Sequence, residues 1–138
     1  MIPLSLHIKK KMEQDVQNEL AELVKLLPKK IRQRANVEVI AAAIEENLLR
    51  ITEDKRLMWL SENKTLLAYF CGRMWCGDST HYYSDCRSWM WQRGRMMFPE
   101  KDLNFLFGVR NLRTLRKNRD LCVPPKGWEL VERIFKIP

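Results

Sequence analysis

Apolar residues recur at helical spacing along the first 27 positions. Met12, Val16, Leu20, Leu23 and Leu27 step by four, four, three and four, so they share one face. The pattern predicts a helix over Leu6–Leu27, stopped by Pro28, which has no backbone N–H to continue it. A second stripe of Val37, Ile40, Ile44, Leu48 and Ile51 predicts another helix, capped by Asn36, and Ala41-Ala42-Ala43 would let a neighbour approach closely. Between them, Lys29-Lys30-Ile31-Arg32-Gln33-Arg34 reads as a basic link or an early helical turn. Thr52, followed by Glu53 and Asp54, is expected to open a short third helix. Ser61 would open a fourth, with Leu66, Phe70 and Met74 at i, i+4 spacing.

Residues 78–98 break this period. Alternation around Trp89-Met90-Trp91 predicts a small β-hairpin turning near Arg93-Gly94. Pro99, with Glu100 and Asp102 behind it, predicts a helix through Phe107, because proline and acidic residues suit a helix N-terminus. Gly108 ends that helix and Asn111 opens another through Arg119. Pro124-Pro125 precede a last amphipathic helix in which Trp128, Val131 and Phe135 share a face. The expected fold is mostly α and a single domain over 1–138. Residues 1–62 form a helical bundle half, and 63–138 a basic half with the hairpin and a helix pair.

Composition narrows the classes. A chain of 138 residues, 46% of them hydrophobic, supports one core and leaves little room for a second. No apolar run approaches the roughly 18 residues that cross a bilayer. The apolar N-terminus precedes Lys9-Lys10-Lys11, the reverse of a signal peptide's order. A cytoplasmic protein with no membrane partner is expected, with Cys71, Cys76, Cys86 and Cys122 as thiols or metal ligands.

Charge changes the picture most. Arg87, Arg93, Arg95, Lys101, Arg110, Arg113, Arg116, Lys117 and Arg119 face only Glu100 and Asp102 between positions 87 and 119. That segment nets +7 of the chain's formal +8. Such a concentration suggests a polyanionic partner, whose counterions it displaces. The stretch from Glu100 to Asn118 resembles a helix-turn-helix, with Leu103, Phe107 and Val109 around a turn glycine and Leu112 and Leu115 facing inward. Arg113, Arg116 and Lys117 would then face outward toward a major groove, with Arg110 and Arg119 beside them. The Trp89–Arg95 hairpin, with Arg93 and Arg95, would lie along the backbone as a wing, and Arg87 would lie beside the contacting helix. The buried positions after the glycine fall two residues earlier than that motif places them, so a plain helical hairpin with a solvated charged face fits equally. DNA is favoured over RNA as the partner. Stacking of single-stranded bases on Trp75, Tyr82, Tyr83, Trp89 and Trp91 competes with ordinary packing beneath the hairpin.

Cys71, Cys76, His81 and Cys86 form C-x4-C-x4-H-x4-C, close to a zinc-knuckle pattern except that its first pair is usually two residues apart. Three thiolates and an imidazole would make an ordinary structural zinc site, and a variant would draw on Cys122. A helix ending at Gly72 permits the site. One running to Gly77, the favoured reading, points Cys71 and Cys76 about 140° apart and leaves the chain without a cofactor. Catalysis is not expected. His7 and His81 are the only imidazoles, no Gly-rich phosphate loop occurs, and the carboxylate pairs Glu45-Glu46 and Glu53-Asp54 fall at helix surfaces or starts.

The stretches Leu66-Leu-Ala-Tyr-Phe-Cys-Gly-Arg-Met-Trp-Cys-Gly-Asp78 and Leu106-Phe-Gly-Val-Arg-Asn-Leu-Arg113 resemble a small bacterial, mobile-element-associated family with no assigned function. The resemblance covers about residues 64–135. It implies a bacterial cytoplasm and no particular activity. The expectation is a non-enzymatic nucleic-acid-binding accessory protein, with a protein-interaction module or homodimer built on the first two helices as the alternative.

Overall fold

The computed structural model describes residues 4–83, 88–92, 94, 96–117 and 124–136; of these, 4–13, 80–83, 88–91 and 117 are described by their backbone alone. The first helix, α1, spans Leu4–Lys25 and turns Leu20 and Leu23 fully inward, with Leu27 buried just beyond its end. Pro28 (φ −54°, ψ 143°) redirects the chain into a single turn, α2 (Lys29–Arg32), of which only Ile31 is buried. Asn36 then caps α3 (Val37–Glu45) as expected, its side-chain oxygen accepting the Val39 N–H at 3.2 Å.

The next segment departs from the helical reading. Instead of continuing to Ile51, α3 ends at Glu45, and Asn47 takes a left-handed φ of 61°. Strand β1 (Leu49–Ile51) pairs antiparallel with β2 (Leu57–Trp59), and the expected third helix is the turn between them. Thr52 is the reason. Its hydroxyl accepts the Arg56 N–H at 3.0 Å while its own N–H donates to the Arg56 carbonyl at 2.8 Å, bonds that compete with a helical turn. Lys55, at φ 62°, closes the loop. Leu57 and Trp59 are buried and Met58 is exposed, a period of two inside a stretch also compatible with a helical period.

Asn63, two residues later than expected, caps α4 (Lys64–Cys71) by accepting the Leu66 N–H at 3.1 Å. Without a break, α4 passes into a π-helical turn, Gly72–Cys76, which Gly77 ends in the left-handed conformation at φ 74°. From Leu66 to Cys76 every residue except half-buried Arg73 is buried. A helix apolar on all sides belongs at the centre of a fold, and α6 and α7 pack against this one. Elsewhere α1 packs on α3, α3 on α7, and α5 on α6 and β2.

Strands β3 (Ser79–Tyr83) and β4 (Ser88–Gln92) form the expected small hairpin, with Thr80 opposite Trp91 and Tyr82 opposite Trp89. Its turn is not near Arg93-Gly94; this pairing puts it between residues 83 and 88, outside the described residues. Gly94 has another job: a Cβ there would overlap the Cys76 carbonyl oxygen, so the glycine admits a close passage of backbone against the π turn. Helix α5 (Glu100–Phe107) starts after Pro99 and ends at left-handed Gly108, both as the sequence predicts. Helix α6 (Leu112–Lys117) begins after Asn111, and α7 (Trp128–Phe135) follows Pro124-Pro125. The architecture is mostly α with small hairpins, and one apolar core runs from Leu20 to Ile134.

Candidate nucleic-acid interface and the buried charge relay

The basic helix pair is built on an apolar underside. Leu103, Leu106 and Phe107 from α5 and Leu112 from α6 are buried, and Leu115 is half-buried. The link between the helices is fixed by backbone and side chain together. The Val109 N–H donates to the Asn104 carbonyl at 3.0 Å, and the Asn104 side-chain N–H₂ donates to the Arg110 carbonyl at 3.2 Å. Arg110 and Arg113 are thereby held at the surface. Among the described residues no carboxylate lies within ion-pair distance of either.

Arg116 departs from its expected role. Expected on the outward face with Arg113 and Lys117, it is instead buried and grips Asp78, itself fully buried, with two parallel bonds: Nε to Oδ2 at 2.8 Å and Nη2 to Oδ1 at 2.7 Å. A planar guanidinium suits a carboxylate in this way, and the pairing is what makes burial of both charges tolerable. Burial opposes the charge on Arg116, yet the hydrogen bonds and opposite charge of Asp78 outweigh it and hold Arg116 above its ordinary pKa. The Gly94 N–H adds a third donor to Asp78, at 2.5 Å from Oδ1. The relay continues through the Asp78 carbonyl, which accepts Arg73 Nη1 at 2.9 Å. Arg73 Nε in turn donates to buried Glu132 of α7 at 2.6 Å. Arg116, Asp78, Arg73 and Glu132 thus alternate in sign and tie α6, the entry to β3, the π turn and α7 together. Gly72 makes room for it, since a Cβ there would strike the Asp78 carboxylate. Nothing local in the sequence ties Asp78 to Arg116, 38 positions away.

The remaining cations of the expected interface are placed less fully. Arg87, Arg93, Arg95 and Arg119 lie outside the described residues, and Lys117 ends α6 with its backbone alone described. The structure adds a basic surface at the link between the first two long helices. Lys29, Lys30, Arg32 and Arg34 on and after α2 are all exposed. The available signal was four cations in six residues without an acid.

The cysteine/histidine array is altered by the π turn. A π turn bonds residue i to i+5, so residues five apart come round to nearly the same side. Cys71 and Cys76 are therefore not splayed by 140°; they are close enough for Cys76 to bear on the ionisation of Cys71. Both thiols sit in the core. Burial pushes Cys71 well above the ordinary thiol value and Cys76 up to about 11, which disfavours the thiolates a zinc ion needs. The His81 side chain, Cys86 and Cys122 lie outside the described positions, and among the described residues no three metal-ligating side chains converge.

Two other expectations meet the core. Trp75 is no stacking platform: it is buried, its indole N–H donates to the Ile31 carbonyl at 2.8 Å, and Phe107 meets its ring edge-on. The side chains of Tyr82, Tyr83, Trp89 and Trp91 lie outside the described positions. Leu20 and Leu23 of α1, one of the two helices expected to carry a homodimer surface, are buried in the chain's own core. Among the described residues no helix is long and apolar enough to cross a membrane. No family model, curated protein or solved structure matches this chain, so its functional reading rests on fold and charge geometry.

Proposed function

We propose that the protein is a non-catalytic, cytoplasmic nucleic-acid-binding accessory protein that holds phosphate backbone through cations on its α5–α6 helix pair. The carrying observation is the division of labour along α6 and its approach. Arg116 is spent on Asp78, whereas Arg110 and Arg113 stand exposed on a surface fixed from beneath, with no carboxylate partner among the described residues. Fixed, unneutralised cations contribute affinity by displacing condensed counterions. Arg87, Arg93, Arg95, Lys117 and Arg119 extend the interface by sequence position. The short turn between α5 and α6 favours backbone contact over groove reading, because base readout needs a recognition helix projected into the groove. A non-catalytic role is favoured by Asp78, whose carboxylate is buried and already accepts three donors, and by Cys76, whose thiol stays protonated near neutrality.

Arg110→Ala combined with Arg113→Ala is expected to weaken duplex DNA binding about tenfold or more and to reduce the salt slope by about two. Fluorescence anisotropy checks both, and unchanged affinity with an unchanged slope removes the helix pair from the interface. Arg116 is left intact in this variant, since its loss would unpair Asp78 and confound binding with stability.

A protein-interaction role is the second reading, favoured by Phe105. It is 70% exposed on α5, with the Arg56 guanidinium 4.6 Å from its ring centre. Aromatic and arginine side chains of this kind anchor many interfaces.

A further inference from the structure

We infer that the segment 29–34 is a second phosphate-contacting ledge, on which Lys29, Lys30, Arg32 and Arg34 grip the nucleic-acid backbone alongside the helix pair. The inference rests on the nucleic-acid reading above and adds a contact surface to it. Rigidity comes first. Ile31 is fully buried, Trp75 donates to its carbonyl at 2.8 Å, and the Arg32 and Ala35 N–H groups bond back to Pro28 and Ile31 at 2.9 and 3.1 Å. The four cations are thus mounted on a docked turn. Pre-organised contacts of this kind lose less freedom on binding.

The arrangement also works against folding. Lys29 and Arg32 are i, i+3 neighbours and Lys30 and Arg34 are i, i+4 neighbours, so like charges crowd one turn. Three cations elsewhere on the surface have carboxylate partners: Lys25 with Glu22, Arg56 with Asp54, and Arg133 with Glu46. Among the described residues no carboxylate lies within ion-pair distance of the four on the ledge.

Position links the ledge to the helix pair. The π turn touches α2 through Trp75, and the same Trp75 ring meets Phe107 of α5. The Arg34 charge reaches the Cys76 thiol, as does that of Arg116 on α6. Phosphate is favoured over a membrane because the one apolar residue of the segment, Ile31, is already buried and does not present itself for insertion. A protein partner is disfavoured by the absence of any exposed aromatic or aliphatic anchor between positions 29 and 34.

The test compares full-length proteins by anisotropy on one duplex oligonucleotide across a salt series. Replacing Lys29, Lys30, Arg32 and Arg34 by glutamine is expected to weaken binding by at least about tenfold and to lower the salt slope by about three to four. A control of equal charge change, Lys55→Gln, Lys64→Gln, Lys126→Gln and Lys136→Gln, should stay within about threefold of wild type. If the control loses as much as the ledge variant, net charge and not a site is responsible, and the inference falls. It falls alone if the ledge variant binds like wild type while Arg110→Ala/Arg113→Ala is weakened. Absence of binding by the wild-type chain removes both readings. Flotation with phosphatidylserine vesicles that depends on the ledge, beside unaltered DNA binding, assigns it to membranes and overturns it too.

Discussion

Asp78→Ala is expected to destabilise the protein by about 3–5 kcal/mol, because it removes the carboxylate that the buried Arg116 guanidinium grips with two hydrogen bonds. The loss also strips the Gly94 N–H of its acceptor, so two donors from one residue and one from another are orphaned together. Urea unfolding of the wild type and variant measures this directly. The apolar pair Asp78→Leu with Arg116→Met should recover much of the loss, since exchanging a whole buried ion pair for hydrophobic groups is often neutral or better. A single Asp78→Ala variant within about 1 kcal/mol of wild type would mean that the pair is wet and exposed, and Arg116 would return to the set of free cations.

Gly94→Ala is expected to cost more than about 3 kcal/mol, at the top of the range for overpacking, because the obstruction is backbone. The added methyl would overlap the Cys76 carbonyl oxygen and crowd Gly77, neither of which can swing aside as a side-chain tip does. It would also push the Gly94 N–H away from Asp78, coupling this site to the relay. Gly77→Ala is the informative contrast. Gly77 has a left-handed φ of 74° and open space around its missing Cβ, so alanine there should cost only about 1–2 kcal/mol in backbone strain. Paired denaturation curves check the ranking; equal costs at the two positions would contradict the close backbone passage.

Several helix ends were legible in the sequence where a local residue controls them. Asn36, Pro28, Pro99 and Gly108 act through their own backbone or side chain, and the structure uses each as expected. The β1–β2 hairpin was not legible, because Leu48, Leu49, Ile51, Leu57 and Trp59 satisfy a helical and an alternating period almost equally. Thr52 and the left-handed Asn47 and Lys55 decided between them. Gly94 was misread for a related reason: a glycine required by a non-local approach looks in sequence like one required by a turn. The charge concentration was legible, but its partition was not. Whether Arg116 faces solvent depends on Asp78, 38 positions away, and on Gly72 leaving space for that carboxylate. The exposure of Lys29, Lys30, Arg32 and Arg34 likewise depends on Trp75 holding Ile31 in place.

The exposed cations, once Arg116 is set aside, are either a phosphate-binding surface or a solvated face. Anisotropy of the intact chain on duplex and single-stranded oligonucleotides, at about 50 and about 200 mM salt, separates the two. Binding at the lower salt that falls by about a thousandfold at the higher is the predicted result, corresponding to roughly six released phosphate contacts. No binding at the lower salt, or an affinity indifferent to ionic strength, would contradict it.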